Sequence, residues 1–171
     1  MSSDMFELLL TIASEGAERV GEGFDDPDDD WAPMAMVSRA DGTLLAVGID
    51  PRFMANDGRK DMLAEEMLPA ILREQEATAI VLLTSTWYVD QSRRDAAEHG
   101  FRRPSQDPNR KEAVTLMGLS LTEQALWMAD IERHEDAPPT LGEWRKLPDK
   151  SVTEITGRFV IPVRQALAHQ G

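Results

Sequence analysis

The chain contains no cysteine, which removes disulfides, thiolate nucleophiles, zinc ribbons and iron–sulfur clusters together, because each depends on sulfur. Long apolar runs are missing as well. Stretches such as Leu8 to Leu10 and Ala79 to Leu83 fall far short of the roughly 20 residues a helix needs to cross a bilayer. The opening Met1-Ser-Ser-Asp-Met-Phe-Glu has neither the basic region nor the apolar stretch of a signal peptide, so a cytoplasmic location without membrane contact is expected. Histidine occurs three times, at 99, 134 and 169, and none has another histidine at i+2 to i+4, which leaves no metal-ligating pair.

Glycine-built phosphate cradles are also absent. There is no Gly-x-x-x-x-Gly-Lys-Ser/Thr loop and no Gly-x-Gly-x-x-Gly turn, so nucleotide hydrolysis and dinucleotide binding have no candidate segment. The Gly-x-Ser-x-Gly elbow is missing too, and Ser85, Ser92 and Ser105 could act as nucleophiles only in an arrangement the sequence does not announce. No cofactor is expected.

What the chain does have is acid. Its formal charge is −13 over 171 residues, which disfavours direct binding to nucleic-acid phosphates. The first 50 residues carry 12 acidic groups against two basic ones, residues 51–111 are balanced, and the remainder is mildly acidic. Composition, with 42% hydrophobic and 29% charged residues, fits one globular domain over 1–171.

Asp4 followed by Glu7 has the form of a helix start, and Met5, Leu8, Leu9, Ile12 and Ala13 recur at helical spacing, predicting a helix from about Asp4 to Val20 stopped by Gly21. Residues 21–32 read as an exposed acidic loop. Met34–Arg39 and Thr43–Ile49 read as a hairpin closed at Asp41-Gly42. Met62, Leu63, Met67, Ile71 and Leu72 mark a helix that Pro69 should kink or shorten. Thr78–Val89 is apolar on both faces, as a central strand is. A short helix over Asp90–His99, a basic loop over 101–111, strands near Ala113–Leu119 and Ala125–Glu132, an irregular stretch after Pro138-Pro139 and a last helix capped at Ser151 complete the chain. Gly157 and Pro162 should weaken or bend that helix.

The expected fold class is therefore α/β in the α+β sense, with about five mainly antiparallel strands in the order α-β-β-α-β-(α)-β-β-α. This order resembles roadblock and profilin-like folds and the cores of JAB-type metalloproteases and deaminases. The zinc chemistry of the last two is excluded by the missing His-x-His, His-x-Glu and Cys-x-x-Cys motifs. Arg103-Pro-Ser-Gln-Asp-Pro-Asn-Arg-Lys-Glu-Ala and the later Pro-Pro-x-Leu-Gly-Glu-Trp are similar to segments of small uncharacterised proteins of actinobacteria and their phages. That resemblance covers residues 102–146 and implies an accessory role without an activity.

Two charged segments and two lone features carry the functional expectations. Asp25, Asp26, Asp28, Asp29 and Asp30 include an EF-hand-like spacing at 26, 28 and 30, but Trp31 stands where the loop needs glycine and Val37 where it needs a bidentate glutamate. A solvated acidic loop, or a negative surface for a basic partner, fits better. Arg93, Arg94, Arg102 and Arg103, with Arg110 and Lys111, form the one basic stretch. They would either clamp an anion bidentately or pair with the chain's own acids. Asp50 and Asp90 follow predicted strands and could hold a metal for phosphoryl chemistry with Asp57, Asp61 and Glu65 nearby, although no Glu-x-Lys follows and turn chemistry explains them equally well. Trp144 sits in a proline-flanked stretch where it either pins the loop or meets a partner. A non-enzymatic, acidic interaction protein with a protein partner is the first expectation, with nucleic-acid mimicry as a special case and self-association left open. A metal-dependent enzyme on phosphate esters and a module for a small anionic ligand are the alternatives.

Overall fold

The computed structural model describes residues 3–88 and 109–168, with the side chains of 149–157 left aside. Helix α1 (Ser3–Glu22) buries Phe6, Leu9, Leu10, Ala13 and Ala17 at 3.6-residue spacing. It extends past Gly21, which is not its stop. Gly21 sits there because an added Cβ would lie 2.8 Å from Trp31 Cζ2, so only glycine lets the indole lie against the helix.

Strands β1 (Met34–Arg39) and β2 (Leu44–Gly48) form the expected hairpin. Its turn is one residue longer than a two-residue loop. Gly42 N–H donates to Arg39 O at 2.9 Å, Arg39 N–H donates to Thr43 O at 2.9 Å, and Gly42 has φ +86°, the left-handed residue of a bulged three-residue hairpin loop. The Asp41 carboxylate fixes the exit by accepting from Thr43 N–H and Oγ1–H.

A 3-10 turn (Pro51–Met54) leads to α2 (Asp57–Met62), capped by the Asn56 side chain. The chain continues through one π-type turn (Leu63–Met67) into α3 (Leu68–Glu74). Pro69 is responsible in part: it has no N–H to give Glu65 O and its ring crowds that carbonyl. The turn widens instead, with Leu68 N–H reaching Leu63 O.

Strand β3 (Ala77–Tyr88) lies at the centre, followed by β4 (Lys111–Ser120) and β5 (Gln124–Glu132). All neighbouring pairs are antiparallel, in the order β2-β1-β3-β4-β5. The expectation of about five strands is corrected to seven among the described residues. Two further strands of two residues each, β6 (Thr140–Leu141) and β7 (Arg145–Lys146), pair side by side with the outer edge of β5. They lie in the stretch read as irregular, because two residues are too few to show alternation. Helix α4 (Asp149–Ala168) closes the chain and runs through both Gly157 and Pro162. The helix expected at 90–99 lies outside the described residues.

Alternation along the strands feeds two cores. On one face Ala79, Val81, Leu83, Val114, Leu116, Trp127 and Ile131 pack under α1. On the other, Ile80, Leu82, Met117, Leu119 and Leu126 pack under the π-type turn, α3 and α4. The result is one α+β domain with helices on both faces of an antiparallel sheet. Among the described residues no helix is long and apolar enough to cross a membrane.

Candidate functional site

The acidic loop has a defined shape. Trp31, 2% exposed, is its anchor: Nε1 donates to Ala17 O at 2.8 Å, and the ring meets Phe24 edge-on at 4.8 Å between centroids. The loop then folds on its own carboxylates, as aspartates in turns do. Asp29 accepts from Asp25 N–H and Asp26 N–H, both at 3.0 Å, and Asp26 accepts from Asp28 N–H at 2.9 Å. Asp30 accepts from Trp31 N–H at 2.8 Å and from the Ser85 hydroxyl at 3.4 Å.

Among the described residues the cation that closes this loop is Arg133, which none of the sequence signals marked. Its guanidinium donates to Asp29 O at 2.8 Å and Pro27 O at 3.4 Å. It forks onto both Glu112 oxygens at 3.3 and 2.9 Å and lies 3.4 Å from Asp30 Oδ1. Hydrogen bonding to Glu112, with Asp30 and Asp28 nearby, raises the Arg133 pKa further against a smaller desolvation effect. Arg133 stands just beyond β5, diagonal to Glu112 on β4, whose register position faces Ile131. One arginine thus bolts the loop to the sheet, leaving Asp25, Asp26 and Asp28 exposed. Of the EF-hand-like set, Asp26 accepts from Asp28 N–H and Asp30 from Trp31 N–H, so one oxygen of each is engaged in the loop's own turns.

Beside the loop, the end of α1 and β6 enclose a groove of about 280 Å³ lined by Glu18, Glu22, Trp31 and Leu141. Trp144 reaches this edge from the far side. It packs against the α1 core, and its Nε1 donates to Glu18 Oε1 at 3.0 Å. Lys146 similarly meets Glu7 at 2.7 Å and lies 4.8 Å from the Trp127 ring centroid. The β6–β7 segment is therefore tied to the acidic helix at two points.

A second polar cluster occupies the other face at the same end of the sheet. Tyr88 Oη donates to Asp130 Oδ1 at 2.6 Å, and Arg145 Nη2 reaches the same oxygen at 3.1 Å and Tyr88 Oη at 3.3 Å. Partial burial pushes the Asp130 carboxyl up, but hydrogen bonds from Arg145 and Tyr88 outweigh it and hold the group below its ordinary range. Burial, then the bond to Asp130, raises the Tyr88 phenol. The trio is internally satisfied: a carboxylate, its cation and a shared phenol.

Asp50 does not join Asp57 and Asp61. Its oxygens are taken by the Arg52 guanidinium, as close as 2.6 Å. The Arg52 side-chain and backbone hydrogen bonds hold its pKa down to about 2. Asp57 and Asp61 instead meet Arg158 at 3.2 and 3.1 Å. Among the described residues no three histidine, aspartate or glutamate side chains converge as a metal-ligand set. Asp90, Arg93, Arg94, Arg102 and Arg103 lie outside the described residues, as do Ser92 and Ser105. From the basic stretch, Arg110 lies 4.4 Å from the centroid of the Trp87 ring. Comparison with protein-family models, with curated proteins and with solved structures finds no match to this chain.

Proposed function

We propose that the protein is a non-enzymatic interaction protein that engages a basic macromolecular partner through residues 21–32 and the adjoining end of α1. The observation that carries this reading is the division of labour within the loop. Trp31, Asp29 and Arg133 hold its shape, while Asp25, Asp26 and Asp28 remain exposed. Charge fixed in place before binding loses less conformational freedom on association, and its field steers an oppositely charged partner. The neighbouring groove suits a lysine or arginine, whose apolar stem would lie along Leu141 with its head at Glu22.

Binding of a labelled arginine-rich peptide, followed by fluorescence anisotropy, tests the proposal. The triple variant Asp25→Asn, Asp26→Asn, Asp28→Asn keeps the turn acceptors and removes three charges. A control, Glu65→Gln, Glu66→Gln, Glu74→Gln, removes three exposed charges from the α2–α3 layer. The loop variant should lose at least about tenfold in affinity and the control much less. Binding should weaken as salt rises. Equal losses in the two variants would mean that net charge alone is being read, and the loop would lose its role.

A further inference from the structure

We infer that the free edge of β2 is a self-pairing surface, at which two copies of the chain join their sheets about a two-fold axis. The bonds Arg39 N–H to Thr43 O and Ile49 N–H to Pro33 O fix which residues of β2 face β1. By alternation, Leu45 and Val47 point their backbone groups inward, and Leu44, Ala46 and Gly48 point theirs outward. These three residues are exposed, and among the described residues no partner occupies their outward N–H and C=O groups. Proteins ordinarily blunt such an edge with lysine, proline, a bulge or a covering segment. Leu44-Leu-Ala-Val-Gly48 has neither charge nor proline, and its pairing with β1 is unbroken by a bulge.

The edge is complementary to itself. Centring the two-fold on Ala46 sets Leu44 of one copy opposite Gly48 of the other, a large residue against an empty position. The outward groups then meet as close pairs that can exchange up to about six hydrogen bonds. The same register brings the hairpin turn carrying Asp41 to the 3-10 turn carrying Arg52. Asp41 is exposed and the Arg52 side chain is 80% exposed, so at both ends Asp41 of one copy can reach Arg52 Nη1 of the other, while Nε and Nη2 stay on that copy's own Asp50. A foreign strand would have to reproduce this size and charge pattern, whereas a second copy supplies it by symmetry. Leu44 is 45% exposed, and with Ala46, Met34 and Met36 it widens the contact on the α1 side. Five residues of edge remain small against the roughly 800 Å² per partner of a stable interface, so the dimer belongs in the micromolar range.

Sedimentation velocity from about 1 to about 200 µM reads this directly, since the monomer–dimer balance shifts with concentration in that range. Wild type should pass from monomer to dimer, and more salt should favour the dimer by screening two bodies of charge −13 each. That sign is opposite to the salt dependence of basic-peptide binding. Ala46→Pro removes an outward N–H and leaves the β1 ladder intact, as proline on an edge does. Ala46→Lys places two cations face to face at the axis. Either variant with a wild-type circular dichroism spectrum should raise the dimer dissociation constant at least about tenfold. A wild type that stays monomeric throughout, or a dimer that survives either folded variant, overturns the inference.

Discussion

Two glycines of α1 separate the helix's own preference from the contact that anchors the acidic loop. Replacing glycine by alanine inside a helix gains about 1 kcal/mol. At Gly16 a new Cβ would meet nothing within 4 Å, so Gly16→Ala should stabilise the protein by close to that amount. At Gly21 the Cβ would stand 2.8 Å from Trp31 Cζ2. The indole cannot retreat, because it is 2% exposed, hydrogen-bonded to Ala17 O and packed on Phe24. Overpacking of a buried ring costs about 1–3 kcal/mol, and the helix gain shrinks in a last turn, so the clash wins by about 1–2 kcal/mol. The two variants should therefore differ by about 2–3 kcal/mol, or about 4–12 °C in Tm for a domain of this size. Urea unfolding with a shared slope measures the gap. If Gly21→Ala proves as stable as Gly16→Ala, Trp31 is not seated on α1, and the rigid loop falls with it.

Thr84 and Thr115 are both 8% exposed, with hydroxyls 2.8 Å apart. Thr84→Val should cost about 1–2 kcal/mol, whereas Thr84→Val with Thr115→Val should cost clearly less than the sum of the two single changes, since removing both partners leaves nothing unsatisfied; strict additivity would refute the pairing. Arg52→Ala should return the Asp50 carboxyl from about 2 toward 3.8, read by carbon NMR. Because the folded value lies below the unfolded one, wild type holds this contribution above about pH 4 and loses it as pH falls toward about 2, a loss the variant escapes; an unmoved Asp50 titration would dissociate the pair. Arg133→Ala should cost about 1 kcal/mol and speed amide exchange at Asp28 and Asp29, and unchanged exchange there would show that the loop holds itself.

Elements whose signal is local were legible in the sequence. The α1 stripe, the Asp41-Gly42 hairpin and the doubly apolar β3 each declare themselves within a dozen residues, and all three stand where the pattern places them. The π-type turn was not legible, because Pro69 says that a helix must adjust without saying how. Strands β6 and β7 owe their pairing to the β5 edge they lie against. The candidate surface was half legible. Its aspartates are conspicuous, but their clamp, Arg133, is more than 100 residues away in the chain and pairs with Glu112, a residue in an ordinary strand. Gly21 carried a local signal that pointed the wrong way, toward helix termination, because the residue it accommodates, Trp31, comes ten positions later.

The two ends of the sheet are treated differently by the chain itself. On the β5 side, Leu147 N–H and Gly142 N–H donate to Leu126 O and Asp130 O, and β6 and β7 fill the rest of that margin. Among the described residues the β2 margin is therefore open over five residues, and the β5 side ends in two strands of only two residues each. A sheet with two open margins can add copies without limit and so is a seed for fibres. With a single open margin, the first copy to add consumes the last available template, and assembly through strands terminates at two. The short β6 and β7, which contribute little to the core, thus leave the β5 side a poorer template for a second copy than the β2 side.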